Sequence, residues 1–330
     1  MPDDSLLALQ AWLTTTLPFD NFQVDPLQPE ASTRRFYRVT ADTGSSWMAI
    51  HSPPETEKNE LFVAMAEIFS RNHVPVPKIH AYEPKRGFLL VQDFGTVEFL
   101  HIYNDPDSLG QAIDLALEGL IAVQRTRDPS IEVYTRERLI DELGIFTEWV
   151  CGEMLGCAAT PLNDIADVLT SEIDSHPKVT VHRDYHSRNL LLHGEHLGIV
   201  DFQDALVGSC VYDIASLLYD CYFEHNNKHI DTWIDAYRDK IGGISLPLIE
   251  PRSKFVRAME ITAMQRMMKA IGIFCRLWFK QRKGTHLAYA MPVLGRVITI
   301  ANRNEFTTLA NWLEQTVGPR LQQALARLTP

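Results

Sequence analysis

The chain has 330 residues, 45% of them apolar, which is enough for one large domain or for two lobes that each bury a core. Its formal net charge of −11 argues against nucleic acid as the main partner, because phosphate backbones bind to basic surfaces. The five cysteines show no CxxC spacing, which favours a reduced setting. The acidic N-terminus and the lack of a long apolar run predict a cytoplasmic protein with no membrane contact and no obligatory protein partner.

The first ninety or so residues alternate between helical and strand patterns. Helical spacing is found over 5–17 and 59–73, and strand-like alternation over 32–52, 74–84 and 87–94. The turn-forming sequence Asp42-Thr43-Gly44 divides the first of these strand stretches, which predicts a hairpin. This part of the chain is therefore expected to form a small sheet packed against a helix.

Beyond about residue 107 the pattern becomes mainly helical. Helices are predicted over 107–125, 136–156, 161–175, 209–224, 229–240, 251–280 and 306–328. Two strand-like stretches interrupt them, at 178–183 and at 189–202, the second folded back at His193-Gly194-Glu195. We predict a nucleotide-binding lobe over 1–94 and a helical lobe over 95–330 that carries the catalytic loop and the substrate pocket.

The stretch VHRDYHSRNLLLHGEHLGIVDFQD, residues 181–204, places polar groups between short apolar runs. Phosphoryl transfer needs a carboxylate that orients the attacking hydroxyl and oxygen ligands that hold Mg²⁺. Asp184 has the first property, and Asn189 and Asp201 have the second. The alternative is a plain turn between buried strands. We favour the catalytic interpretation because both halves of the motif occur in order, and we expect His182 to support the loop through backbone hydrogen bonds.

These residues resemble the aminoglycoside phosphotransferase and choline kinase superfamily. "HRDYHSRN" and "VDFQDA" correspond to its H-G-D-x-H-x-x-N loop and its following D-F/W-x-D-A segment, with Arg183 as the departure. "GSCVYDIASLL" is similar to its G-D-P-x-x-D-L-A segment, in which the acid equivalent to Asp213 braces the catalytic loop. The resemblance implies an α+β, protein-kinase-like bilobal fold with a small sheet-plus-helix N-lobe and a larger, mainly helical C-lobe, and it implies ATP and Mg²⁺.

A narrower resemblance covers most of the chain. "ASTRRFYRV", "VPVPKIHAYEPKRGFLLVQDFG" and "MQRMMKAIGIFCRLWFKQRKG" are similar to segments of the bacterial anomeric N-acetylmuramate/N-acetylglucosamine kinases of cell-wall recycling. That resemblance implies phosphorylation of the C1 hydroxyl of a free amino sugar. Two alternatives stay open: a kinase acting on an aminoglycoside, choline or another hydroxyl compound, and a kinase-fold module that binds nucleotide with little turnover.

Candidate nucleotide contacts lie in two segments of the first ninety-five residues. Hydroxyl and guanidinium groups follow one another where a phosphate-covering loop belongs, at Ser32, Thr33, Arg34 and Arg35. The connector VQDFG is expected to meet adenine through backbone groups around Gln92 and Phe94, an assignment that rests on the resemblance. His51 stands where protein kinases carry a phosphate-binding lysine, and a surface role is as good an explanation for it.

Candidate sugar contacts come from two places. Asp204 could bind a hydroxyl or could cap the next segment. Arg266, Lys269 and Arg276 lie near one another at helical spacing and could attract the lactyl carboxylate of N-acetylmuramate. A solvated basic face is the more common reason for such a stripe.

Overall fold

The computed structural model describes residues 4–18, 21–27 and 33–328. The chain divides into two compact units, each of which is treated by itself below. The first unit comprises Met1–Phe99 with Asn189–Asp204, and the second comprises Leu100–Arg188 with Ala205–Pro330. The division into lobes at residues 94 and 95 stays a prediction. Within the described ranges, every helix is too short or too polar to cross a bilayer.

A five-stranded antiparallel sheet forms the body of the first unit. Its strands are β1 (Phe22–Pro26), β2 (Arg35–Ala41), β3 (Ser46–His51), β4 (Ile79–Glu83) and β5 (Phe88–Gln92), in the spatial order β1-β2-β3-β5-β4. Helix α1 (Asp4–Thr16) packs Leu9, Trp12 and Leu13 against Val39 and Phe88 of the sheet. Since these side chains are almost fully buried, they form the core that holds the strands in register.

A second helix and a hairpin complete the first unit. The helix α2 (Asn59–Arg71) stacks Phe62 on Phe202, with ring centroids 5.0 Å apart. The hairpin joins β7 (Leu190–His193) to β8 (His196–Ile199) and turns at Gly194, whose φ of 62° suits glycine. The predicted reversal at this turn is confirmed. A Cβ atom on Gly198 would lie 2.3 Å from the Phe94 ring, so only glycine lets the connector after β5 pack this closely on the hairpin.

Helices dominate the second unit, and α9 is the longest of those described. Their bounds, beginning with α3 at the junction of the units, are α3 (Phe99–Ile102), α4 (Pro106–Arg125), α5 (Arg136–Phe146), α6 (Thr160–Ser175), α7 (Tyr212–Leu218), α8 (Asn227–Gly242), α9 (Arg252–Gln281), α10 (Ala290–Arg303), α11 (Thr307–Trp312) and α12 (Gly318–Leu328). Strand β6 (Lys178–Val181) pairs antiparallel with β9 (Leu206–Ser209). Gly272 lets α9 approach α5 closely, because a Cβ there would lie 2.8 Å from the Ile145 carbonyl oxygen.

The predicted helix over 209–224 is wrong in extent. Residues Leu206–Ser209 form β9, and only Tyr212–Leu218 are helical. The spacing of the apolar residues around Ser209 does not distinguish a buried strand from a buried helix. The pairing of this segment with β6 makes it a strand. Strand β1 and helix α10 were not predicted. The mainly helical second unit, the antiparallel sheet of the first and the long helix at 251–280 are confirmed.

Candidate active site

The backbone of the loop after β6 is held by a buried carboxylate at the start of α7. Asp213 accepts hydrogen bonds from the His182 N–H at 2.6 Å and from the Arg183 N–H at 2.9 Å. Burial raises the pKa of Asp213, although the two amide donors and the nearby His182 favour its ionised form. The His182 ring is fully buried, and its Nδ1 accepts from the Asp184 N–H at 3.3 Å. These bonds fix the loop, with Arg183 at a positive φ of 79°.

Asp184 itself is half-buried beside cations supplied by α9. Nη2 of Arg266 lies 3.8 Å from the Asp184 carboxylate, and Nε of Arg266 donates to the Arg183 carbonyl at 3.3 Å. Burial alone would raise the pKa of Asp184, but the charges of Lys269 and Arg266 hold it well below its ordinary value. The carboxylate is therefore ionised at neutral pH, beside the cations of Arg266 and Lys269.

A buried acid on α5 balances the cations around the loop. Glu142 is 6% exposed and lies 3.0 Å from Nζ of Lys269 and 2.5 Å from Nη2 of Arg183. It also accepts from the Tyr134 hydroxyl. Burial would raise the pKa of Glu142, but Lys269 and Arg183 lower it below its ordinary value. Sequence reasoning missed Glu142, because it lies outside any motif and meets its partners only in the fold.

The second half of the loop is held from helix α4 and from the segment that follows α7. The Ser187 N–H donates to the Asp220 carboxylate at 2.8 Å, and the Tyr185 hydroxyl donates to the Ala116 carbonyl at 2.7 Å. Burial lowers the pKa of His186 to about 4, so its ring is neutral at pH 7, and it packs edge-on against Tyr222. The loop thus has several independent attachments within the second unit.

Asn189 and Asp201 lie in the first unit, at the open end of the β7–β8 hairpin. Leu190 pairs with Ile199, and the Val200 N–H donates to the Asn189 carbonyl at 3.0 Å, so the two candidate metal ligands lie just outside the paired strands, Asn189 before β7 and Asp201 two residues after β8. Asp201 is exposed and adopts a positive φ of 61°. An amide oxygen and a carboxylate fit Mg²⁺, which keeps several waters and phosphate oxygens as its other ligands. In the described residues, no cluster of three or more His, Cys, Asp or Glu could hold a metal by itself.

The two candidate phosphate-binding arginines have different surroundings within the first unit. Arg34 donates to the Ser52 hydroxyl at 3.2 Å and lies 3.3 Å from Glu57, so its side chain is only 11% exposed. Arg35 is exposed at the start of β2. Of the pair, Arg35 is therefore the one that faces solvent. Thr33 is exposed and donates to Glu57 at 2.5 Å.

Two other candidates near the phosphate segment can be placed only in part. Ser32 lies outside the described residues. His51 ends β3 opposite Arg35, and burial together with the charge of Arg35 lowers its pKa, so the ring is neutral and offers a phosphate no fixed charge.

The connector after β5 is fixed by an ion pair that the motif search missed. Nε of Arg38 lies 2.7 Å from Asp93, and its Nη2 donates to the Gly95 carbonyl at 3.1 Å. Burial would raise the pKa of Asp93, but bonds from Arg38 and Gly95 lower it. Phe94 is buried against the hairpin, and the Gln92 N–H donates to the Lys78 carbonyl. The backbone around the candidate adenine contacts is therefore rigidly placed.

Comparison with known proteins assigns the family. A model described as "Phosphotransferase enzyme family" matches residues 23–245, more than half of the chain. The chain belongs to this family. It is 32% identical over 289 residues to an N-acetylmuramate/N-acetylglucosamine kinase of Pseudomonas putida, covering 84% of this chain and 85% of the relative. It is 30% identical to the protein of the same name from Pseudomonas aeruginosa, covering 95% and 97%.

The fold agrees with this assignment. The structure of an amicoumacin kinase in complex with AMP-PNP, Ca²⁺ and Ami matches with a TM-score of 0.64 at 14% identity, covering 91% of this chain and 94% of that one. The predicted protein-kinase-like, aminoglycoside phosphotransferase-like fold is thereby confirmed.

The candidate sugar contacts of this phosphotransferase do not share one environment. Arg266 is 6% exposed and contacts Asp184, and Lys269 pairs with Glu142, whereas Arg276 is exposed. The basic residues of α9 therefore do not form one solvated face, because the helix turns the first two towards the catalytic loop. Asp204 is exposed in the first unit, three residues beyond Asp201. The binding roles of Asp204, Arg266 and Arg276 stay predictions.

Proposed function

We propose that this phosphotransferase transfers the γ-phosphoryl group of ATP to the C1 hydroxyl of N-acetylmuramate or N-acetylglucosamine, in the cytoplasm, as a step of peptidoglycan recycling. The identity of about a third to kinases of that name, along most of both chains, supports the substrate class. The product would be a sugar 1-phosphate.

The observation that carries the catalytic part of the proposal is the state of Asp184. Burial would raise its pKa, but the charges of Lys269 and Arg266 lower it below the ordinary value. Asp184 is therefore an ionised acceptor at the pH of the cytoplasm. Such a carboxylate accepts a hydrogen bond from the sugar C1 hydroxyl and aims that oxygen at phosphorus. As the new O–P bond forms, the bond from phosphorus to the bridging oxygen breaks, its electrons leave with ADP, and the hydroxyl proton passes to Asp184.

The low basicity of Asp184 is compatible with this role. Phosphoryl transfer proceeds through a loose transition state, in which positioning and charge stabilisation matter more than early proton removal. The loop attachments to Asp213 and Asp220 supply the positioning. Arg266 beside Asp184 also limits how far the carboxylate can swing.

Asn189 and Asp201 are the residues that would hold Mg²⁺, since their neighbouring positions at the hairpin end present two oxygen donors. The ion would neutralise charge on the β- and γ-phosphates when bound. Arg35, with Thr33 and Arg34 nearby in sequence, is the exposed cation of the phosphate-covering segment. The backbone around Gln92 and Phe94 would meet adenine. The nucleotide analogue and divalent ion in the amicoumacin kinase structure support this donor chemistry.

The test is phosphoryl transfer by the purified protein with Mg²⁺-ATP and four acceptors in parallel: N-acetylmuramate, N-acetylglucosamine, choline and kanamycin. We expect ADP release with one or both amino sugars, and a product whose phosphate is released by mild acid, as a sugar 1-phosphate requires. Turnover with choline or kanamycin alone would keep the family and discard the amino sugar. No turnover with any acceptor, together with nucleotide binding in a melting assay, would favour the binding module.

A further inference from the structure

A small cavity in the second unit lies among α7, α8 and α10, apart from the residues assigned to phosphoryl transfer. Its volume is about 140 Å³. Its lining brings together a buried imidazole, two arginines and a threonine, namely His225, Arg296, Arg303 and Thr299. None of these residues takes part in the phosphoryl transfer proposed above.

His225 is the least satisfied polar group of this cavity. It is 5% exposed and packs against the rings of Tyr103, Phe223 and Trp233. The Asp220 carboxylate, and to a smaller extent the Leu217 carbonyl, favour protonation of the ring, yet neither ring nitrogen completes a hydrogen bond with any described residue. Burial lowers the pKa of His225 to about 4, so at pH 7 the neutral ring keeps one N–H donor. Buried donors are nearly always matched, by protein, water or a ligand.

The charges around the cavity favour an anion as the hydrogen-bond partner of His225. Nη1 of Arg296 donates to the Asp220 and Phe223 carbonyls, while its buried Nε has no hydrogen-bond partner in the described part of the chain. These carbonyls are neutral, and the acid that acts on His225 together with Arg296 is the Asp220 carboxylate, which is committed to the Ser187 and Tyr222 N–H groups. Arg303 pairs with Glu260, and Glu224 contributes one acid to the lining.

The start of α8 adds to this field. Asn227, which lines the cavity, is the first residue of this 16-residue helix, whose positive dipole end attracts anions.

We propose that this cavity binds a compact oxyanion of the size of inorganic phosphate. The His225 N–H and Nε of Arg296 supply the donors, and the volume excludes a nucleotide. The Thr299 hydroxyl lines the cavity but donates its proton to the Gly295 carbonyl at 3.0 Å. The site is one hydrogen bond away from a residue that holds the catalytic loop. Arg296 donates to the Asp220 carbonyl at 2.6 Å, and the Asp220 carboxylate accepts from the N–H groups of Ser187 and Tyr222.

The test compares two substitutions at Thr299, which is exposed on α10 and so tolerates either. Thr299→Glu places a carboxylate at the cavity and mimics a bound anion, whereas Thr299→Gln has nearly the same size without the charge. The melting temperature is measured against inorganic phosphate, with sodium chloride at equal ionic strength and with saturating Mg²⁺-ADP, so that phosphate binding at the nucleotide site is blocked.

For the wild type and for Thr299→Gln we expect a saturable rise in the melting temperature of about 2 °C, at a phosphate concentration ten times the dissociation constant. Thr299→Glu should show less than a third of that rise. Arg296→Gln is the second variant, and it should lose the rise as well. Equal shifts in all four proteins, or no shift beyond that of chloride in the wild type, would overturn the proposal and leave the cavity to water.

Discussion

The catalytic loop of the second unit and the phosphate-binding candidates of the first unit are built in opposite ways. Asp213 and Glu142, which hold the loop, are 0% and 6% exposed and each meets more than one partner. Thr33, Arg35 and Asp201 are exposed. Before any substrate binds, the residues that hold the catalytic loop are therefore already fixed by several contacts, whereas these phosphate-binding candidates are open to solvent.

This difference suggests a division of labour in phosphoryl transfer. A carboxylate that must aim a hydroxyl gains most from a rigid setting, since a small misplacement costs much of the rate. Groups that contact charged phosphates can be ordered by the ligand itself, because the ion pairs form only when the phosphates arrive. The predictions below test whether the loop is rigid and whether the exposed residues act only on nucleotide binding.

The largest expected effect is that of Asp184→Asn on turnover. The amide keeps the shape of the side chain but loses the charge that accepts the hydroxyl proton, so we expect kcat to fall about a thousandfold or more. The measurement is ADP release at saturating sugar and Mg²⁺-ATP. The dissociation constant of ATP should stay within about twofold, and a large loss of ATP binding would show that Asp184 belongs to the nucleotide site instead.

Glu142→Gln tests whether the loop is held by a buried charge. The amide leaves Lys269 and Arg183 buried without their acid, and removing one member of a buried ion pair costs about 3 kcal/mol. We expect that loss of unfolding free energy in urea, and a fall in kcat. Glu172→Gln, at the partly exposed pair with Arg257, is the matched control and should cost about 1 kcal/mol or less. Equal losses in the two variants would contradict a special role for Glu142.

The sequence could predict the loop but not its supports. Asp184 and Asn189 occur in a short motif with a fixed spacing, so their chemistry is visible in one line of sequence. Glu142 lies about forty residues earlier on a separate helix, and nothing local marks it as the partner of Lys269. Charge balance in a buried network is a property of the three-dimensional fold, and a single sequence does not show it.

The same contrast applies to the secondary structure. The long helix around Met264 and the strands of the first unit other than β1 were predicted, because their apolar residues recur at a regular spacing. The strand around Val207 was not predicted, since its strand character comes from pairing with Thr180 far away in sequence. The buried position of Arg266 was likewise hidden, because the spacing of basic residues gives a helix face but not its direction.

A smaller effect is expected from the two neighbouring arginines of the phosphate segment. Arg35→Gln should raise the KM for ATP about tenfold, because a charge-assisted bond to phosphate is lost, and should leave the melting temperature nearly unchanged, because the side chain is exposed. Arg34→Gln should lower the melting temperature, because Arg34 bonds to Ser52 and Glu57. If Arg34→Gln raised the KM for ATP and Arg35→Gln lowered the melting temperature, Arg34 would be the phosphate ligand and Arg35 the structural residue.

The smallest effect is a change in the pKa of Asp184 itself, which reports how firmly the loop is set. The folded pKa lies below the ordinary value of about 4, so the ionised carboxylate stabilises the fold above that pH and this contribution is lost as the pH falls below it. Carbon-13 NMR of labelled aspartates, assigned with Asp184→Asn, should show no titration of this group between pH 8 and pH 4.

Substitutions of two arginines on α9 test whether the pKa of Asp184 depends on the adjacent charge or on the overall charge of the protein. Arg266→Gln removes the cation 3.8 Å from the carboxylate and should raise the pKa of Asp184, whereas Arg276→Gln, at an exposed position of the same helix, should leave it unchanged. If the wild-type carboxyl titrated above pH 4, or if both substitutions moved it equally, the loop would not be electrostatically preset. Its rigidity would then have to come from the hydrogen bonds to Asp213, Asp220 and Ala116.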